Sequence, residues 1–299
     1  MRILSGKEPA AEIKKICRQT VRNMGFQPCL AVVVVGDNPA SAVYVRNKQK
    51  DAEECGIKCI VYRYPADILE SKLIMQIQEI AATSAIHGII VQLPLPKGFD
   101  ERKIIDTIPP HKDVDGLTTT SQGRLYTGQD GWKPCTPEGV IRLLDYYEVP
   151  IEGKTAVVVG RSSLVGAPLA RMLQDRNATV CTYHTKTPEI MRSTDMPYYD
   201  ILCFACGQPK KYNKYDLDCF DTGHQYTVVD IGINRDEEGT LCGDFDPNHI
   251  WDVELIDYTP VPGGIGLMTR AVLMDHVVSA ACQQDAWRRG WFEKLKHQY

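Results

Sequence analysis

Lys154-Thr155-Ala156-Val157-Val158-Val159-Gly160, running on into Arg161-Ser162-Ser163-Leu164-Val165-Gly166-Ala167-Pro168, is the stretch that decides the fold. A short β-branched apolar run reads as a strand buried on both faces, the pattern of a parallel sheet. A glycine turn and the start of a helix follow. Such a helix N-terminus offers orphan N–H donors and partial positive charge, which suits a pyrophosphate. Gly160 and Gly166 let the chain turn tightly and approach a ligand, with Val165 between turn and helix. The spacing is not G-x-G-x-x-G, so a plain strand-to-helix turn stays open at this point.

The next strand, Thr179–Tyr183, bears on which dinucleotide fits. A carboxylate after this strand would hold a ribose 2′-OH and repel a 2′-phosphate. Here His184-Thr185-Lys186-Thr187 follows instead. Thr185 offers a hydrogen bond to a 2′-phosphate, and Lys186 and Arg161 offer positive charge. NADP is therefore the expected cofactor, with a solvated surface role for Lys186 as the alternative.

Strand–helix alternation continues in both directions, without repeats or low-complexity segments. Strands are expected at Cys29–Val35, Lys58–Tyr64, Gly88–Leu93, Asp200–Ala205 and Thr227–Ile231. Helices are expected at about Pro39–Cys55, Leu69–Ala82, Glu101–Ile108, Thr136–Tyr147 and Arg270–Arg288, the last amphipathic. A polar loop is expected from Pro109 to Lys133. The pattern predicts an α/β protein of two three-layer α/β domains with a cleft between them, the second a Rossmann-type dinucleotide-binding domain. The first domain spans 1–140 with the C-terminal helix, about 272–299, and the second spans 141–271.

Composition sets bounds. The chain has 299 residues, enough for two domains, and a net charge of −4. That charge gives no footprint for nucleic acid or an anionic membrane surface. The longest unbroken apolar run, Leu30–Val35, is too short to span a bilayer, and the first residues lack the apolar core of a signal peptide. A cytoplasmic protein is expected. The 11 cysteines are scattered. Cys203 and Cys206 have C-x-x-C spacing but no second ligand pair, so core thiols are expected rather than a metal site.

Chemistry-bearing residues gather in the first half. Ser41, Tyr44 and Lys48 are spaced i, i+3 and i+7, one face of a helix. Gln92 interrupts an apolar strand at its carboxyl end, where ligands of open α/β sheets bind; a glutamine capping loop backbone is the alternative. Asp113-Val114-Asp115-Gly116 resembles the start of a calcium loop, but Arg124 stands where the bidentate glutamate belongs, which excludes that reading. Tyr258-Thr259-Pro260-Val261-Pro262-Gly263-Gly264-Ile265-Gly266 is a proline- and glycine-dense turn that lets backbone approach a ligand.

With these runs in view, the chain resembles the bifunctional methylenetetrahydrofolate dehydrogenase/methenyltetrahydrofolate cyclohydrolase family. The matching runs are Ser41-Ala42-Val43-Tyr44 with Lys48, Val91-Gln92-Leu93-Pro94-Leu95-Pro96, Lys112-Asp113-Val114-Asp115-Gly116, Pro134-Cys135-Thr136-Pro137, Gly160-Arg161-Ser162 with Val165-Gly166 and Pro168, and Thr259-Pro260-Val261-Pro262-Gly263-Gly264. They come in family order and span nearly the whole chain. The resemblance implies oxidation of 5,10-methylenetetrahydrofolate by NADP and hydrolysis of the methenyl product to 10-formyltetrahydrofolate. It implies that Lys48 is the catalytic lysine, Gln92 its orienting partner, and Tyr44 a stacking platform for the folate. It gives Asp115 the pterin, and Pro262, Gly263 and Gly264 a wall of the folate site. Gly160, Arg161, Ser162, Val165, Gly166, Thr185, Lys186, Gly207 and Ile233 are implied cofactor contacts, no metal is implied, and a homodimer is.

Three departures stand out. Leu267 replaces a usual proline, Cys206 precedes Gly207-Gln208-Pro209 where Thr or Val is usual, and Tyr212–Gln225 follows the family poorly. Competing readings are a dehydrogenase-only relative using NAD, another two-domain dehydrogenase such as one acting on shikimate, and a non-catalytic folate- or nucleotide-binding regulator. His184–Thr187 speaks against the first. Asp115 with Pro262-Gly263-Gly264 speaks against the second. Lys48, Gln92 and Asp115 together speak against the third.

Overall fold

The computed structural model describes residues 2–188, 199–213, 225–249 and 256–296. In chain order the elements are β1 (Arg2–Ile3), α1 (Lys7–Asn23), β2 (Cys29–Val35), α2 (Pro39–Cys55), β3 (Lys58–Tyr64), α3 (Glu70–Ala82), β4 (Gly88–Val91), α4 (Glu101–Ile105), α5 (Thr119–Tyr126), α6 (Cys135–Tyr146), β5 (Thr155–Val159), α7 (Gly166–Asp175), β6 (Thr179–Tyr183), β7 (Ile201–Phe204), β8 (Tyr226–Asp230), β9 (Asn234–Arg235), β10 (Leu241–Cys242), β11 (Ile256–Tyr258) and α8 (Ile265–Lys296). Two compact units emerge, one of residues 1–10 with 136–269 and one of 11–135 with 270–299.

The unit of 11–135 and 270–299 is built on a parallel three-stranded sheet in the order β3-β2-β4. Every residue of β2 is buried, and its side chains alternate between two cores as strand periodicity dictates. Leu30, Val32 and Val34 join Cys17 of α1, Val45, Ala52 and Cys55 of α2, and Val272, Met274 and Val277 of α8. Ala31, Val33 and Val35 join Leu73, Ile77 and Ile80 of α3 and Ile104 of α4. Helices on both faces make three layers. On α8, the four consecutive residues Ala271 to Met274 are at most 2% exposed. There the helix is apolar on all sides rather than amphipathic, which marks a core helix; it also begins five residues earlier than the sequence pattern suggests. Its Ile265–Trp287 stretch is long and apolar enough to cross a membrane, but 61% of that window lies buried in the protein.

The unit of 1–10 and 136–269 carries a six-stranded parallel sheet, β1-β11-β8-β7-β5-β6. From β5 the chain goes outward to β6 through α7, then back across to β7. That reversal makes a crevice at the carboxyl end of β5, the Rossmann-type arrangement. β1 extends the sheet through Arg2 and Ile3, paired with Asp257 and Tyr258. The first ten residues therefore belong with 136–269 and not with the sheet that follows them, a difference from the expected division. A two-residue strand carries no periodic signal, and the decisive contacts are distant in sequence: Asp257 takes both the Arg2 backbone N–H and its guanidinium. The expected polar loop 109–133 also contains α5, whose N-cap Thr118 accepts from the Ser121 N–H.

Candidate active site

Helix α2 explains the state of Lys48. Ser41, Val45, Lys48, Ala52 and Cys55 recur at helical spacing, and Ser41, Val45, Ala52 and Cys55 are all buried. Lys48 is the cationic member of that stripe, so its stem leaves the helix toward the core while part of its surface stays exposed. Burial of the ammonium pushes its pKa below the ordinary lysine range, opposed by the negative charge of Asp115 and the thiols of Cys135 and Cys59. Removal from water destabilises the charged form, which makes a neutral amine accessible.

Gln92 follows β4 directly and is 9% exposed. Its backbone N–H bonds to Val33 O in the sheet. Its side-chain N–H donates to Leu93 O at 2.7 Å, and its Oε1 accepts from Lys48 Nζ at 3.0 Å. Each polar end of the amide has a partner, and the oxygen faces the lysine. The loop-capping alternative is thus true of one end of the side chain and the lysine contact of the other. Tyr44, one turn before Lys48, is 37% exposed, as a side chain offering a flat face to a ligand requires.

Asp115 is half-buried next to a firmly braced segment. Asp113, 1% exposed, accepts the Leu117 and Thr118 backbone N–H groups at 3.2 and 2.9 Å. Burial raises the Asp113 pKa against the pull of these bonds. Val114 O contacts the Cys135 thiol at 3.3 Å and the His276 ring Nδ1 at 2.9 Å, and Trp132 packs on the His276 ring, 5.1 Å between centroids. Sequence reading did not single out Asp113, Cys135 or His276 for this role. His276 sits within the apolar run of α8, and such a buried polar residue must find a partner.

In the other unit, the turn after β5 leads to α7, whose N-cap Val165 makes no side-chain capping bond. Gly160, at φ 121°, and Gly166 are packed so closely that added Cβ atoms would run into Ala205 O and Gly160 O respectively. Ser162 Oγ accepts from Val165 N at 3.2 Å. Arg161, Ser162, Thr185 and Lys186 are all exposed, and they follow the carboxyl ends of β5 and β6, which pair directly. Gly207, at φ 66°, and Ile233, 46% exposed, follow β7 and β8. Cys203 is fully buried in β7, and Cys206 is half-buried beyond it; both are free thiols pushed up to about 12 chiefly by burial. Among the described residues no group of three His, Cys, Asp or Glu side chains is placed to hold a metal. Pro262, Gly263 and Gly264 lie in the same unit, where Gly263 O accepts from Gly6 N at 2.8 Å and Gly264 O leaves no room for a Cβ on Gly6. Leu267 N bonds to Gly264 O, an N–H that a proline there would lack. Of the poorly matching segment Tyr212–Gln225, residues 214–224 lie outside the described residues.

A Rossmann-type unit with an uncapped helix at its switch point, together with a unit that holds a desolvated lysine against an amide oxygen, defines a dinucleotide-dependent α/β enzyme. Comparison with known proteins narrows the class. Residues 134–285 match the family model "Tetrahydrofolate dehydrogenase/cyclohydrolase, NAD(P)-binding domain", and residues 4–115 match the corresponding catalytic domain. A curated relative, the bifunctional protein FolD of Nitrosospira multiformis, is 42% identical over 97% of this chain and 99% of its own. The bifunctional FolD of Campylobacter jejuni has a solved structure 39% identical, with TM-score 0.88 over 95% of this chain and 99% of that one. The Trypanosoma brucei dehydrogenase-cyclohydrolase, solved with NADP cofactor and an inhibitor, is 30% identical, with TM-score 0.84 over 93% and 96%. The chain belongs to the tetrahydrofolate dehydrogenase/cyclohydrolase family.

Proposed function

We propose that Lys48, held by Gln92, is the acid–base group of an enzyme that oxidises 5,10-methylenetetrahydrofolate with NADP and hydrolyses the methenyl product to 10-formyltetrahydrofolate. The observation that carries this is the 3.0 Å contact of a desolvated lysine with a glutamine oxygen whose own amide is fixed. A neutral amine accepts a proton from the water that adds to the methenyl carbon. The C–N5 bond then breaks as N5 takes up a proton from the lysine ammonium and the carbinol hydroxyl releases its proton to solvent, which leaves the formyl C=O on N10. Such proton transfer contributes roughly 10²–10⁴-fold. Tyr44 gives the folate a stacking face, and Asp115 accepts from the pterin amino and ring N–H groups. The unit of 11–135 with 270–299 is then the folate-binding and catalytic part, and 136–269 the cofactor-binding part.

NADP fits the residues present. The uncapped N-terminus of α7, with Gly160, Val165 and Gly166, suits a pyrophosphate, while Arg161, Ser162, Thr185 and Lys186 offer charge and donors to a 2′-phosphate with no carboxylate to repel it. Gly207 and Ile233 lie where the rest of the dinucleotide would run. When bound, NADP supplies the hydride acceptor for the methylene carbon. Cysteines unbridged by disulfides among the described residues and the small net charge support a cytoplasmic enzyme without a nucleic-acid or membrane partner, and family kinship supports a homodimer. The test mixes purified protein with methylenetetrahydrofolate and either NADP or NAD, following methenyl formation and its decay. Methenyl formation with NADP, then enzyme-dependent decay, is the expected result. No turnover with either cofactor, or formation without decay beyond the buffer rate, contradicts the reading.

A further inference from the structure

Asp244 follows β10 and is fully buried. Each of its carboxylate oxygens carries two donors. Oδ2 accepts from Cys206 N at 2.7 Å and Gly207 N at 3.1 Å. Oδ1 accepts from Gln208 N at 2.8 Å and Asn234 Nδ2 at 2.8 Å. The donors belong to two loops, 206–208 and 232–234, which leave the carboxyl ends of the neighbouring strands β7 and β8. Gly232 lies so close that any Cβ there would strike the Asp244 carboxylate. Asp244 is itself held: Asp230, the last residue of β8, accepts from Asp244 N and Phe245 N, both at 3.0 Å, and Asp244 O accepts from Tyr212 N at 3.0 Å.

Sheet order says what these loops face. With the 2′-phosphate at the ends of β5 and β6 and the pyrophosphate at α7, the nicotinamide half of the dinucleotide runs toward β7 and β8. We infer that Asp244 is a positioning residue for the nicotinamide half of the cofactor, a buried carboxylate that sets both loops in the shape the dinucleotide needs. It touches no reacting atom and acts through Gly207 and Asn234, the latter next to Ile233. This inference rests on the NADP reading above. A carboxylate is required because all four donors point at it. The isosteric amide of Asp244→Asn, whichever way it is turned, sets an NH₂ group against two N–H donors, and an acceptor lost from such a site leaves donors unpaired.

The test measures NADP affinity by titration, and the KM for NADP and kcat by steady-state oxidation, for wild type and Asp244→Asn, with circular dichroism and thermal melting as the check on folding. KM and Kd for NADP are expected to rise about tenfold or more, the loss of charge-assisted bonds, while KM for the folate stays put. Asp236→Asn is the control in the same hairpin. It breaks the ion pair with Lys210 and is expected to leave NADP affinity as in wild type. A folded Asp244→Asn protein with wild-type KM and Kd for NADP overturns the inference. If that variant does not fold, Asn234→Ala decides: a several-fold rise in KM for NADP supports the inference, and no change overturns it. Wild-type protein that binds no NADP would instead refute the cofactor reading itself.

Discussion

Gln92→Glu places a carboxylate where an amide oxygen now lies 3.0 Å from Lys48 Nζ. A unit charge at that distance interacts with the ammonium by roughly 5 kcal/mol at an effective dielectric of about 20, or about four pKa units. Part of this is offset by the cost of burying the new carboxylate next to β4, so a net rise of about two units in the Lys48 pKa is a fair working figure. The shift opposes the depression that burial imposes on the native lysine. If the neutral amine is the working base, its population near neutral pH falls about 100-fold, and the cyclohydrolase rate falls with it. The assay is the pH profile of methenyl hydrolysis, corrected for the uncatalysed reaction. Wild type should show an inflection below the ordinary lysine range. The variant should show it displaced upward, with the two rates converging at high pH. A variant profile with its inflection unmoved, or a rate lowered equally at every pH, would refute the electrostatic coupling of Gln92 to Lys48.

Two further outcomes follow from the rest of the structure. Arg161→Ala removes a cation from the β5 turn and should raise KM for NADP about tenfold or more while changing KM for NAD little, since only NADP carries the 2′-phosphate; equal effects on both cofactors would place Arg161 elsewhere. Asp200 is half-buried, and partial desolvation alone would raise its pKa, but the Thr155 N–H, Lys154 ammonium and Thr155 hydroxyl lower it below 3.8 overall. A depressed carboxyl pKa contributes stability that is present above 3.8 and lost as pH falls through the folded value. Asp200→Asn should therefore destabilise by about 1–3 kcal/mol at neutral pH, with the gap from wild type holding down to 3.8 and narrowing as pH falls below it; denaturant unfolding at several pH values reads this, and a gap that widens in acid would contradict it.

The large elements were legible because they follow simple periodicities. The β-branched runs at Cys29–Val35 and Thr155–Val159 admit only a buried strand, and the spacing of Ser41, Tyr44 and Lys48 marks a helix face. Gln92 was legible because it breaks an apolar strand, and Lys48 because it shares a helix face with Ser41 and Tyr44. What sequence did not disclose depends on contacts between distant positions. Arg2 and Ile3 make a strand because Ile256–Tyr258 offers a free edge. Asp244 carries no periodic signal, and its importance lies in donors 36 to 38 positions earlier. Asp230 is similar: it ends an apolar strand as an ordinary turn residue would, yet burial pushes its pKa up to about 6 while it accepts three backbone N–H groups. His276 was hidden by α8, whose apolar surroundings made it look like one position of a packing helix.

The most direct measurement compares wild type with Lys48→Met, a substitution that keeps the stem's bulk and removes the amine, in one cuvette for both steps. Loss of nearly all enzyme-dependent methenyl hydrolysis, with NADP still bound at wild-type affinity by titration, is the predicted result. Hydrolysis at the wild-type rate in that variant would contradict the assignment of the proton-transferring group.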